Sequence, residues 1–142
     1  MSRSGYSDDC DGWDLIRWRG AVAAAIRGKR GQAFLKEMIA ALDAMPEKRL
    51  IANELQTASG GVCAIGSVGL ARRLDMTLID PDEPENVATA FGVSCALVQE
   101  IADINDASYS WGLPEDKRSK EERRWQAVRD WCESQRNSGR KD

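Results

Sequence analysis

Apolar side chains recur at three- and four-residue spacings along most of this 142-residue chain, and that period confines it to a helical fold. Leu15, Trp18, Val22 and Ile26 share one face and predict a helix over 11–27, with Asp11 or Asp14 as its cap. Gly28-Lys29-Arg30-Gly31 breaks the pattern. It resumes over 32–45 with Phe34, Leu35, Met38, Ile39 and Leu42 until Pro46 stops it, which makes the pair an α-hairpin joined by a short basic turn.

The middle of the chain reads less clearly. LIANELQ (50–56) and 62–65 flank Thr57-Ala58-Ser59-Gly60-Gly61, an arrangement that fits a small two-stranded β-ribbon, although LIANELQ reads equally well as helix. A short helix follows over 66–74, and Pro81 and Pro84 bracket an acidic loop. Residues 84–105 carry the strongest pattern. Val87, Ala88 and Phe91, then Gly92-Val93-Ser94, then Leu97, Val98 and Ile101 reproduce helix-turn-helix spacing, with Asn105-Asp106 expected to end the second helix as a left-handed cap. A last helix over 115–135 places Trp125, Val128, Trp131 and Cys132 on one side, and tryptophans near both ends (Trp13, Trp18, Trp125, Trp131) predict that the terminal helices pack together. The expected architecture is mainly α: one compact domain of five to six helices over 11–135, between a loose lead (1–10) and a loose tail (136–142).

Composition narrows the chemistry. The chain has no histidine, which removes the commonest general base and metal ligand together with Ser-His-Asp, Cys-His and zinc-histidine sites. Its four cysteines, at 10, 63, 95 and 132, match neither a metal knuckle nor a secreted disulfide framework. Cys63, in Gly60-Gly61-Val62-Cys63-Ala64-Ile65-Gly66, starts a predicted helix and is the one nucleophile candidate, but a small buried residue explains it as well. Glycines 60, 61, 66 and 69 lack the Lys-Ser/Thr of a phosphate loop, and no motif asks for a cofactor or a metal. No run of about 18 apolar residues occurs and the lead is polar, so a cytoplasmic protein with no membrane contact is expected.

The net charge of −3 conceals two opposed blocks. Residues 17–36 hold six bases and no acid (Arg17, Arg19, Arg27, Lys29, Arg30, Lys36); residues 74–107 hold eight acids and no base, among them Asp82, Glu83, Glu85, Glu100 and Asp103. Arg27, Lys29, Arg30 and Lys36 form a candidate basic surface, and those five acids a candidate acidic one. Solvated faces, or docking of one block on the other within a chain or between two copies, account for the same pattern. The second helix of the helix-turn-helix-like pair offers Ser94, Gln99, Glu100, Asp103 and Asp106, of which three would repel a duplex.

LIRWRGAVAAAIRGKRGQAFLKEMIAALDAMPEKRLIANEL (15–55), GGVCAIGSVG (60–69), IDPDEPENVATAFGVSCALVQEIADIND (79–106) and RRWQAVRDWCES (123–134) together resemble a family of small uncharacterised accessory proteins of tailed bacteriophages and prophages. The resemblance implies a phage accessory protein in a bacterial host and brings no activity, cofactor or site residue. Two functions are expected. The first is a non-enzymatic binding protein acting on a host or phage protein, as a host-takeover or anti-defence inhibitor. The second is a nucleic-acid-binding regulator that uses the basic 27–31 turn on the helix-turn-helix-like scaffold, and a homodimer suits either.

Overall fold

A computed structural model describes residues 12–107 and 118–138, with side chains over 17–106 and 118–136. The 1–10 lead, residues 139–142, Cys10, Asp11 and the side chains of Trp13, Asp14 and Leu15 lie outside what it describes. Six α-helices occur among the described residues: α1 (Gly12–Arg27), α2 (Lys29–Ala44), α3 (Ala64–Arg72), α4 (Pro84–Phe91), α5 (Cys95–Ala107) and α6 (Lys120–Ser138). A single 3₁₀ turn, Met76–Leu78, links α3 to α4.

The apolar periods become one core. Val22 and Ile26 of α1, Phe34, Leu35, Met38 and Leu42 of α2, Val87 and Phe91 of α4, Leu97 and Ile101 of α5, and Trp125 and Val128 of α6 are all buried in it. α2 is the central element and packs chiefly on α6 and α3. The terminal helices α1 and α6 meet only slightly, because α2 and α5 take most of their apolar faces.

Several boundaries differ from the sequence expectation, each for a local reason. α2 begins at Lys29 rather than at residue 32, so the basic turn shrinks to Gly28, whose extended backbone (φ −68°, ψ 158°) makes an elbow between two nearly continuous helices. Gly31 sits inside α2 because a side chain there would collide with the Ala25 carbonyl, so the glycine sets close approach rather than a break. α6 starts later, at Lys120, on a reciprocal cap: Ser119 Oγ accepts from Glu122 N at 3.2 Å, and Ser119 N donates to Glu122 Oε1 at 3.0 Å. It also runs three residues into the expected tail, so Arg136 to Ser138 are helical.

The 50–63 segment is neither ribbon nor helix. Its pairing reduces to one isolated antiparallel bridge, Gln56 with Val62, plus Ile51 N to Val62 O at 2.9 Å and Cys63 N to Leu55 O at 3.2 Å. Further bonds reach its backbone from other elements. Asn105, fully buried inside α5 rather than capping its end, accepts from Ala64 N (3.0 Å) and donates to the Ile51 carbonyl (2.9 Å). Arg124 of α6, also buried, donates to the carbonyls of Leu50 and Asn105, both at 2.8 Å. Those two side chains supply what a neighbouring strand would have supplied.

Charged side chains fix the helix ends. Arg72 pairs bidentately with Glu37 (2.6 and 2.7 Å), donates to the Phe91 carbonyl at 3.1 Å, and stacks its guanidinium near Phe34 and Phe91, tying α2, α3 and α4 together. That hydrogen-bonded pairing holds the Glu37 carboxyl below its ordinary pKa. Gly20 is a contrast: a side chain there meets nothing within 4 Å. Gly20→Ala is expected to stabilise the protein by about 0.5–1 kcal/mol, since it adds helix propensity at no steric cost, and urea melts will show a raised midpoint with unchanged slope.

Candidate functional site

A surface depression of about 730 Å³ opens between the C-terminal end of α2, the 45–51 segment, the 59–62 loop and α3. Ala41, Ala44, Met45, Ile51, Val62 and Leu70 give it an apolar lining, with the exposed charges of Glu47, Arg49 and Glu121 also present. Leu70 keeps 51% of its surface exposed there, one of two exposed large apolar side chains among the described residues, with Leu78 outside the groove.

The walls are held rigidly. Lys48 Nζ donates to the Asp43 and Met45 carbonyls (2.6 and 2.7 Å) and lies 5.5 Å from the Trp125 ring centre, placing a cation at the negative end of α2. Trp125 Nε1 donates to Leu42 O, and Arg129 pairs bidentately with Asp43 at 2.6 and 2.8 Å. That hydrogen-bonded pairing lowers the Asp43 pKa and raises that of Arg129. On the opposite wall, Thr57 locks its own loop: its N–H donates to Gly61 O, and its Oγ1 accepts from Gly61 N at 3.0 Å. A Cβ at Gly61 would lie 3.0 Å from Ile51 Cγ2 and 3.2 Å from Thr57 Oγ1, so those side chains would have to give by a few tenths of an ångström.

Sequence reasoning missed this groove. Its walls come from separated segments, and no pattern of neighbouring residues marks it. Of the two serine hydroxyls in its lining, Ser67 is committed to the Ala64 carbonyl at 2.6 Å and Ser59 lies 3.0 Å from Thr57 Oγ1.

The two charge blocks are partly brought together. α1 packs along α5, and Arg19 and Glu100 line the same groove beside Trp131. Arg27, Lys29, Arg30 and Lys36 remain exposed around the Gly28 elbow and form no ion pair among the described residues, with Lys29 and Lys36 two turns apart on one face of α2. The acidic set does not converge as one surface. Asp82, Glu83 and Glu85 gather at the start of α4 beside Cys95 and Gln99, whereas Glu100 turns toward α1 and Asp103 lies one turn further along α5. Glu83 is engaged locally by the Asn86 side-chain amide.

The three described cysteines are wholly or partly buried and free of disulfides. Cys63 is fully buried and caps α3, its Sγ accepting from Gly66 N at 3.3 Å. Cys132 is buried against Met38, and burial pushes its thiol up to about 12; burial and the nearby Glu85 raise Cys95. Among the three described cysteines, site-resolved alkylation with iodoacetamide at pH 8 is expected to reach Cys95 first, more slowly than a free thiol. Cys63 and Cys132 should react only as the protein unfolds, and rapid labelling of native Cys132 would contradict this packing.

No group of three or more Cys, Asp or Glu side chains suited to a metal ion occurs among the described residues. No single described helix is long and apolar enough to cross a membrane; α4 and α5 together reach the length but meet at a 108° bend. Comparison with protein-family profiles, with curated proteins and with solved structures found no match.

Proposed function

We propose that this chain is a phage-encoded accessory protein that acts in the cytoplasm of a bacterial host by occupying a surface of a host or phage protein, without catalysing a reaction. The apolar groove beside Leu70 carries the reading: a preformed depression with rigid walls and a few charges favours seating an apolar anchor from a partner over converting a polar substrate. The phage resemblance adds the context, in which a host-takeover or anti-defence inhibitor works by steric occupation.

The test is affinity capture from host and infected-cell lysates with the wild type and with Leu70→Glu and Ala44→Glu, both at exposed positions that leave the core intact. A protein that binds the wild type, rebinds when purified and is lost with both variants supports the proposal. Recovery of no protein, or of proteins held equally by all three, overturns it.

A second reading, a nucleic-acid-binding regulator, draws on the exposed bases at the elbow, with α4 and α5, crossing steeply over a three-residue turn, as a helix-turn-helix-like scaffold. It requires binding of DNA or RNA that falls steeply with salt and disappears when Arg27, Lys29 and Arg30 become alanine. It ranks second because the candidate recognition helix carries Glu100 and Asp103.

A further inference from the structure

We infer that two copies of this chain associate through the end of the molecule built around the first turn of α5, each setting its basic elbow against the acidic loop of the other. The two charged features flank the same short stretch. Lys29 and Arg30 share a small depression with Ser94 and Leu97. Asp82, Glu83 and Glu85 share another with Cys95 and Gln99. Positive and negative patches therefore lie on either side of one helix, separated by about the 10–12 Å of a helix diameter.

Neither patch is ion-paired among the described residues. The four bases of the elbow and the three acids of the loop make no ion pair among the described residues, although Arg72 with Glu37 and Arg129 with Asp43 show that this fold pairs charges where it places them in reach. The start of α2 sharpens the point. It has no acidic residue in its first turn and no side-chain cap, and it carries Lys29 and Arg30 against the positive end of its own dipole. A negative partner relieves that repulsion.

A surface with adjacent patches of opposite sign is complementary to itself. A two-fold axis passing beside the first turn of α5 sets plus on minus twice, the isologous arrangement in which each contact is made in duplicate. A polyphosphate chain fits the same end less well, because the loop carboxylates lie little more than one Debye length, about 8 Å at physiological salt, from the elbow and repel it in part. The association does not depend on the apolar groove, which is lined by other segments.

Sedimentation equilibrium across protein concentration, at about 0.01 M and about 1 M salt, provides the first test, since the screening length falls from ~30 Å to ~3 Å between them. A dimer at low salt that dissociates at least tenfold more readily at high salt is expected. Charge reversal provides the second. Lys29→Glu with Arg30→Glu, and separately Asp82→Lys with Glu83→Lys, should each be folded by circular dichroism and monomeric; mixed in equal amounts, the two should form a heterodimer. A wild type that stays monomeric throughout, a dimer indifferent to both reversals, or folded variants that fail to restore one another overturn the inference. So does a monomer that binds a fluorescent DNA duplex or RNA hairpin through Lys29 and Arg30, which would assign the elbow to nucleic acid.

Discussion

Asn105→Leu is expected to cost about 2–4 kcal/mol of stability and to lower the melting temperature by roughly 5–15 °C. Leucine repeats the branched shape of asparagine but is larger, so no cavity opens; the loss arises from two backbone groups left unpaired, with crowding at this fully buried position added to it. The Ala64 N–H, at the start of α3, is buried and has Asn105 Oδ1 as its acceptor at 3.0 Å; the half-buried Ile51 carbonyl receives the side-chain amide at 2.9 Å. Leaving the N–H without a partner costs about 1–3 kcal/mol, and the carbonyl, nearer to water, adds less. Thermal and urea melts check the result, with Gly20→Ala as an internal reference that must move the opposite way. A variant within about 0.5 kcal/mol of wild type would mean that water replaces the amide, and that Asn105 is not what anchors the 50–63 segment.

Gly66→Ala should be as damaging, through a different route. A Cβ there falls on the Leu55 carbonyl oxygen and 2.9 Å from its carbon, with Val62 Cβ at 3.2 Å. Backbone cannot rotate aside as a side chain can. α3 would have to withdraw from the 50–63 segment, stretching both the Cys63 N to Leu55 O bond and the Ala64 N to Asn105 contact, at a cost of about 3 kcal/mol or more. Gly69→Ala is the informative comparison. Its Cβ would meet the flexible Met76 thioether and Phe91 Cζ (3.1 Å), groups that can shift, so a loss of about 1 kcal/mol is expected. If the two variants melt together, the close approach of α3 to the segment is not what reserves position 66 for glycine.

The helices were legible because their information is local. Phe34, Leu35, Met38, Ile39 and Leu42 announce a buried face by spacing alone, and all five are buried. So do Val87, Ala88 and Phe91, and Leu97, Val98 and Ile101. The elbow was misread for a local reason too: two glycines in four residues resemble a break, yet Gly31 serves helix packing. The late start of α6 was readable, since Ser119 and Glu122 stand at capping-box spacing. The 50–63 segment was not, because its conformation is written in Asn105 and Arg124, tens of residues away. For the candidate sites, the basic residues were found as exposed groups at one place, while the acids were treated as one surface although α5 directs Glu100 and Gln99 to different neighbours. The apolar groove had no contiguous signature at all.

The reach of Arg124 to the Leu50 carbonyl spans 74 residues, and it imposes an order on synthesis. At about 5–20 residues per second, that carbonyl emerges roughly 4–15 s before the guanidinium that will satisfy it. Over the same interval the face of α2 that will receive Trp125, Val128 and Cys132 stands open on the nascent chain. The residues that precede α6 therefore lack the partner of that face until the last helix is made, and the core around α2 closes only then. A ribosome that stalls before α6 would release a chain with an uncovered apolar face, a natural substrate for chaperones and proteases.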